Sequence, residues 1–189
     1  MRGVWRKIVC LVAVGLLSSC SSIECQIDNI VSVQYEIRDN KGEAWAITDT
    51  LSVASTQVDG ETVILDITTL LDGKYNILNK LTGYSTFSLP ISYSHPEDVL
   101  YFCFKDKVKT VVDTVWIKKT DIPYFESVDC TASFFHELTG VRYTNHAIDS
   151  LVLINPSVTY DDKTVHFYLY PKTGNQSAAF GVSIGIGTD

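Results

Sequence analysis

The sequence predicts an all-β domain. It reads as an antiparallel β-sandwich of immunoglobulin-like or Greek-key type, with a small barrel as the alternative. Two observations carry the prediction. Apolar residues recur with a period of two in many short segments, the mark of half-buried strands. Clusters of Asp, Asn, Gly, Pro and Lys separate those segments at short intervals, which is turn chemistry. Helix competes in one place, 66–81, where Leu70, Leu71, Leu78 and Leu81 are loosely spaced, but Gly73 and β-branched neighbours weaken it. Many short strands with regular turns close into sandwiches or barrels.

The elements follow in order. In 31–38, Val31, Val33, Tyr35 and Ile37 form one face and Ser32, Gln34, Glu36 and Arg38 the other, a strand with one wet side. Asp39-Asn40-Lys41-Gly42 is a turn. A second strand carries Trp45, Ile47, Leu51 and Val53 on one parity. Further strands are expected at 62–67, 84–92, 98–105, 109–119, 131–138, 141–145, 148–154, 157–160, 164–170 and 180–186. Asp59-Gly60, Asp72-Gly73, His95-Pro96-Glu97-Asp98, Asp106-Lys107, Thr139-Gly140, Asp161-Asp162-Lys163 and Lys172-Thr173-Gly174 separate them. No internal repeat or long linker is visible. The faces do not alternate uniformly between lipid-compatible and polar, which argues against a transmembrane barrel.

The N-terminus is an address. Arg2, Arg6 and Lys7 form a basic region, and Ile8 to Leu17 an apolar one too short for a membrane span of about 20 residues. Leu17-Ser18-Ser19-Cys20 then reads as a lipoprotein cleavage signal, against an ordinary secretory signal as the plainer reading. The expected division is a signal peptide at 1–19, a lipidated tether at 20–29 and one β-sandwich domain at 30–189, with lipid on Cys20. Cleavage removes the three basic residues and takes the formal charge from −7 to −10. An acidic chain without a basic cluster argues against nucleic acid and against polybasic docking on anionic lipid.

Export implies an oxidising compartment. With Cys20 lipidated, Cys25, Cys103 and Cys130 allow one disulfide and one leftover thiol. Cys25 and Cys130 each sit at the edge of an element, and Cys103 sits in mid-strand as a buried, inert thiol. No Cys-x-x-Cys and no close histidine pair among His95, His136, His146 and His166 supports a metal site, and no cofactor is expected. There is no nucleophile elbow, phosphate loop, dinucleotide fingerprint or calcium loop. Gly181-Val182-Ser183-Ile184-Gly185 reads as a Gly-rich strand, and Glu97-Asp98 as a solvated turn.

Two strands carry a surface hypothesis. In 109–119, Val112, Thr114, Trp116 and Lys118 lie opposite Val111, Val115 and Ile117; in 164–170, His166, Tyr168 and Tyr170 lie opposite Val165, Phe167 and Leu169. If the aliphatic faces are core, Trp116, His166, Tyr168 and Tyr170 line exposed sheet, where aromatics can stack on sugars or anchor a partner. The competing reading buries these rings, as most Trp and Tyr are.

The segments Cys20-Ser21-Ser22-Ile23-Glu24-Cys25, Ser32-Val33-Gln34-Tyr35, 88–98, Asp113-Thr114-Val115-Trp116-Ile117, 125–130 and Ile148-Asp149-Ser150-Leu151 together resemble a family of uncharacterised small lipoproteins from Bacteroidetes, a domain of unknown function. The resemblance covers most of residues 20 to 170 and departs at 171–189. It implies a Gram-negative envelope and the pairing of Cys25 with Cys130. It also implies candidate O-glycosylation at Thr50, Thr114 and Ser150, within Asp49-Thr50-Leu51, Asp113-Thr114-Val115 and Asp149-Ser150-Leu151. The expected function is a lipid-anchored envelope protein, held to the outer membrane, that acts without catalysis as a binding or assembly module for an envelope partner. A glycan-binding surface lipoprotein using the aromatic stripe is the first alternative, and a small envelope hydrolase the last.

Overall fold

The computed structural model describes residues 31–58, 61–62, 70, 72–125, 130 and 132–172. The expected signal peptide and tether, with Cys20 and Cys25, lie outside the described residues, as do 63–67 and the 180–186 strand.

Among the described residues the chain forms β1 (Ser32–Ile37), β2 (Thr50–Ser55), β3 (Gln57–Val58), β4 (Glu61–Thr62), β5 (Asn76–Leu81), β6 (Thr86–Pro90), β7 (Glu97–Lys105), β8 (Thr110–Tyr124), β9 (Ser133–Tyr143), β10 (Ile148–Leu153), β11 (Ser157–Val158) and β12 (Phe167–Pro171). A four-stranded sheet has the order β10-β12-β1-β6, a six-stranded sheet the order β11-β9-β8-β7-β2-β5, and β3 and β4 pair separately. The fold is all-β, two sheets enclosing one core, as the two-residue period predicts.

That core is filled by the expected faces. Val33, Tyr35 and Ile37 of β1 join Phe87 and Leu89 of β6 and Phe167 and Leu169 of β12; Leu51, Val53, Phe102, Val115 and Ile117 meet them from the other sheet. Tyr35 sits opposite Phe87 on one neighbour and Phe167 on the other. Its ring therefore stacks on both, at 4.8 and 5.3 Å, and meets Phe102 edge-on across the core at 6.0 Å. A smaller cluster lies on the opposite face of the six-stranded sheet: Ala54, Leu70 and Cys103, flanked by Tyr75, Tyr101 and Val112. Part of that outer face is thus covered by Leu70 and Tyr75. The part bearing Trp116 is not in this cluster.

Several boundaries differ from expectation for physical reasons. Thr139-Gly140 is not a turn: 131–138 and 141–145 fall largely within one strand, β9. The register with β8 shifts between Lys118 and Lys119, with Lys118 opposite Gly140 and Lys119 opposite Leu138, so Thr139 is the extra residue of a β-bulge. The bulge switches parity. His136 and Leu138 are buried before it in β9, and Val141 and Tyr143 pack on the core after it. The second strand begins at Thr50 rather than near Trp45. Ile47 is still buried, pinned by backbone bonds between Ile47 and the Gly83–Tyr84 segment. Within 66–81, Leu70 and Asp72 are helical and Asn76–Leu81 is the edge strand β5. Its pairing with β2 is irregular, and Lys80 adopts a left-handed φ of 53°. β8 runs on to Tyr124, and the last described strand begins at Phe167, not 164. One pair, β1 with β12, is parallel, because the first and last described strands meet side by side in the same direction.

Candidate binding surface

Along β8 the outward residues are Trp116, Lys118, Thr120, Ile122 and Tyr124, because Val115, Ile117 and Lys119 point inward and are buried. Register places Trp116 between Val99 and Arg142, and Lys118 between Glu97 and Gly140. The Arg142 guanidinium lies over the indole, 4.0 Å from its centroid, and Arg142 Nη2 donates to Glu97 Oε2 at 3.1 Å. Gly140 has no side chain, and a Cβ built there would meet nothing within 4 Å. The result is a half-open recess of about 180 Å³ lined by Glu97, Trp116, Lys118, Gly140, Val141 and Arg142.

The other sequence-picked aromatics are elsewhere. Tyr168 and Tyr170 alternate with the buried Phe167 and Leu169 on β12, in the four-stranded sheet. They face away from that sheet's core side, so they do not share a surface with Trp116. Tyr168 lies under the Arg38 guanidinium at 3.5 Å, and Arg38 is paired with Glu36 at 2.7 Å.

His166 is not on a surface at all; it is 1% exposed. Its Nδ1 accepts from the Gln34 N–H at 3.0 Å, so Nε2 carries the proton and donates to the Ser157 carbonyl at 3.2 Å. Burial holds its pKa below the ordinary imidazole value, outweighing the Ser157 bond. His166 ties β1 to the β11 segment rather than greeting a ligand.

Further aromatic clusters were missed from the sequence. At the far end of the β8–β9 ribbon, Tyr124 stacks on Phe135 at 4.8 Å, and Tyr160 meets Phe135 edge-on at 5.1 Å. Tyr93 stacks on Phe134 at 5.6 Å. Ile122, Tyr124, Phe125, Tyr160 and Tyr93 are all exposed. The signal was present: adjacent aromatics at Tyr124-Phe125 and Phe134-Phe135 cannot all face a core on one side of a strand.

Buried charge serves the framework. Lys119, with a fully buried side chain, lies 3.3 Å from Asp121 and 3.9 Å from Asp98, and donates to the His95 carbonyl. Asp98 accepts from the Ser92 N–H at 3.0 Å and hydroxyl at 2.7 Å, and His136 Nδ1 lies 2.7 Å from Asp121. Burial lowers the His136 pKa, the Asp121 bond opposing it. Burial first, and then the Asp98 carboxylate, raise the Tyr35 pKa; its hydroxyl has no hydrogen-bond partner among the described residues. Asp113, fully buried, accepts from the Thr144 hydroxyl and from the N–H groups of His146, Ala147 and Ile148 at 2.6–2.8 Å. Burial pushes its pKa up, but these bonds outweigh it and hold the carboxyl below the usual range. This carboxylate shapes the connection from β9 to β10.

The modification candidates are half-buried strand residues: Thr50 at the start of β2, Thr114 inside β8 beside Trp116, and Ser150 on the edge strand β10. Cys103 is a buried free thiol, pushed up to about 11 by burial. Cys130 is described, and Cys25, its expected partner, is not. No group of three or more His, Cys, Asp or Glu side chains is placed to hold a metal among the described residues, and no described helix is long and apolar enough to cross a membrane.

A family model, described as a family of unknown function (DUF6452), matches residues 64–171, more than half of the chain. The chain belongs to this family. The DUF6452 match begins after β4, yet β1 sits at the centre of the four-stranded sheet, between β12 and β6. The folded unit of this DUF6452 member therefore includes sequence before the matched region. No curated protein matches the chain, and no solved structure matches it.

Proposed function

We propose that this DUF6452 member is a lipid-anchored, non-catalytic envelope module that binds or assembles with a protein partner through the end of its β8–β9 ribbon. One observation carries the reading: at the ribbon end the exposed rings of Tyr124 and Tyr160 pack on the half-buried Phe135, with the exposed Ile122 opposite Phe135 in register. Contiguous exposed aromatics are costly in water and characteristic of docking surfaces. The buried polar groups support a non-catalytic role, since Asp113, His166 and the Lys119 cluster are committed to holding strands and turns.

The anchor reading rests on Leu17-Ser18-Ser19-Cys20, and the resemblance to Bacteroidetes lipoproteins supports a Gram-negative envelope, at the outer membrane. A Cys25–Cys130 disulfide would staple the tether to the domain. The free, buried Cys103 supports that pairing, because it leaves Cys130 for Cys25.

The test is a photo-crosslinking amino acid placed at Tyr160 in cells, with Tyr84, more solvent-accessible (64% against 41%) but outside the cluster, as the control position. A discrete adduct from Tyr160 and none from Tyr84 is expected. No adduct from Tyr160, or the same adducts from both positions, would overturn the reading.

A further inference from the structure

We infer that the recess at Gly140 is a binding site for one anionic sugar unit, of the uronic acid class, held between Trp116, Lys118 and Arg142. It lies on the same outward run of β8 as the ribbon-end cluster but is a separate site, its near wall at Lys118 about 13 Å from Ile122 at strand rise.

The chemistry of the lining carries the inference. Two cations, Lys118 and Arg142, face the recess against one acid, Glu97, so it is locally positive in a chain of formal charge −7. Both cations are reachable: Lys118 is exposed, and the Arg142 side chain is 56% exposed. Arg142 is also pre-positioned, seated on the indole and tethered to Glu97, so little side-chain freedom is lost when it meets a carboxylate. The Arg142 guanidinium covers one face of the indole, so Trp116 serves the recess as the seat of that cation and as an apolar wall beside the sugar ring.

Size narrows the class. The recess, about 180 Å³, is below the roughly 300–1,000 Å³ of typical small-molecule pockets. It has room for one ring and not for a folded oligosaccharide, and its open side lets a longer chain leave along the sheet. Gly140 creates the space. The bulge at Thr139 sets Gly140 beside Lys118, where any side chain would occupy the recess.

The experiment uses the full chain in detergent, titrated by NMR with glucuronate, galactose and inorganic phosphate at low and moderate salt. Gly140→Leu fills the recess without altering charge, and because a Cβ there meets nothing, the fold should persist. Lys118→Ala is the second variant. Glucuronate should bind with millimolar affinity and weaken with salt. Each variant should weaken it by about tenfold or more, corresponding to about 1.4 kcal/mol. Galactose binding as tightly would overturn the role of charge, and phosphate binding as tightly would overturn the sugar. Absence of glucuronate binding, or unchanged binding in a folded Gly140→Leu protein, would overturn the site. The Tyr160 crosslinking result bears on the protein partner alone, so the two proposals fail separately.

Discussion

Asp113→Asn should destabilise the domain by about 3 kcal/mol while leaving its shape intact. The carboxylate is 0% exposed, and each oxygen meets donors: Oδ1 faces the Thr144 hydroxyl and the His146 N–H, and Oδ2 faces the N–H groups of Ala147 and Ile148. An amide of the same shape must turn an NH2 toward one pair. Its better orientation faces Thr144, whose hydroxyl can rotate to accept, leaving the His146 N–H opposed by a donor. One backbone donor left unpaired costs about 1–3 kcal/mol, and the remaining bonds fall from charge-assisted to neutral strength, a loss of about 1 kcal/mol or more between them. For a domain of this size, about 3 kcal/mol lowers Tm by roughly 6–12 °C.

Chemical denaturation in urea, followed by tryptophan fluorescence and repeated at several pH values, reads the effect. The pH dependence is the sharper test. The folded pKa of Asp113 lies below its ordinary value, so its carboxylate stabilises the fold above that value, about 3.9, and the contribution is lost as pH falls further, through the folded pKa. The gap between wild type and variant should therefore be full at pH 7 and shrink below about pH 4. A loss under about 1 kcal/mol, or a gap that does not narrow in acid, would refute the role assigned to this carboxylate.

Three further outcomes follow from the same geometry. Lys119→Met should cost about 3–5 kcal/mol, since it strands Asp98 and Asp121 beside a buried apolar chain; a loss below 1 kcal/mol in the same denaturation assay would mean the network is not structural. Stability should fall as pH drops below about 6.5, because burial lowers the folded pKa values of His136 and His166 and the unfolded chain takes up protons first; His166→Gln should flatten part of that slope between pH 7 and 5, and an unchanged slope would exclude His166. Cys103, buried and pushed up to about 11, should resist iodoacetamide at pH 8 in the folded protein and react in urea; rapid labelling of the folded protein, read by mass spectrometry, would contradict its burial.

Period two in the sequence carried most of the core. Val33, Tyr35 and Ile37 in β1, Val115 and Ile117 in β8, and Phe167 and Leu169 in β12 are buried as their parity predicts. Parity failed where the chain steps out of it. Thr139-Gly140 looks like a turn because Gly is a turn residue, but here the chain passes straight through it and takes up one extra residue. The bulge depends on how β9 pairs with β8, and pairing is not written in either strand alone. β5 was hidden for a related reason. Its Leu78 and Leu81 do not alternate, because two register irregularities against β2 and the left-handed Lys80 break the period.

The same limit decided which surface residues could be found. Alternation says whether a side chain points into or out of its own sheet, and Trp116, Tyr168 and Tyr170 are half-buried residues that alternate with buried neighbours. It does not say which sheet a strand joins. β8 joined the six-stranded sheet and β12 the four-stranded one, so a stripe drawn across them divides onto surfaces that face apart. His166 failed differently: it lies just before β12 begins, and it is buried by the two hydrogen bonds that reach it from Gln34 and Ser157. The surfaces that do form need contacts from elsewhere. Arg142 and Gly140 come to Trp116 only because β9 pairs with β8 on the near side of the bulge. Tyr160 reaches Phe135 only because β11 adds to the outer edge of β9. Both candidate surfaces are therefore consequences of the β8–β9 ribbon, and a change that removed the bulge, rather than any single aromatic, should disturb them together.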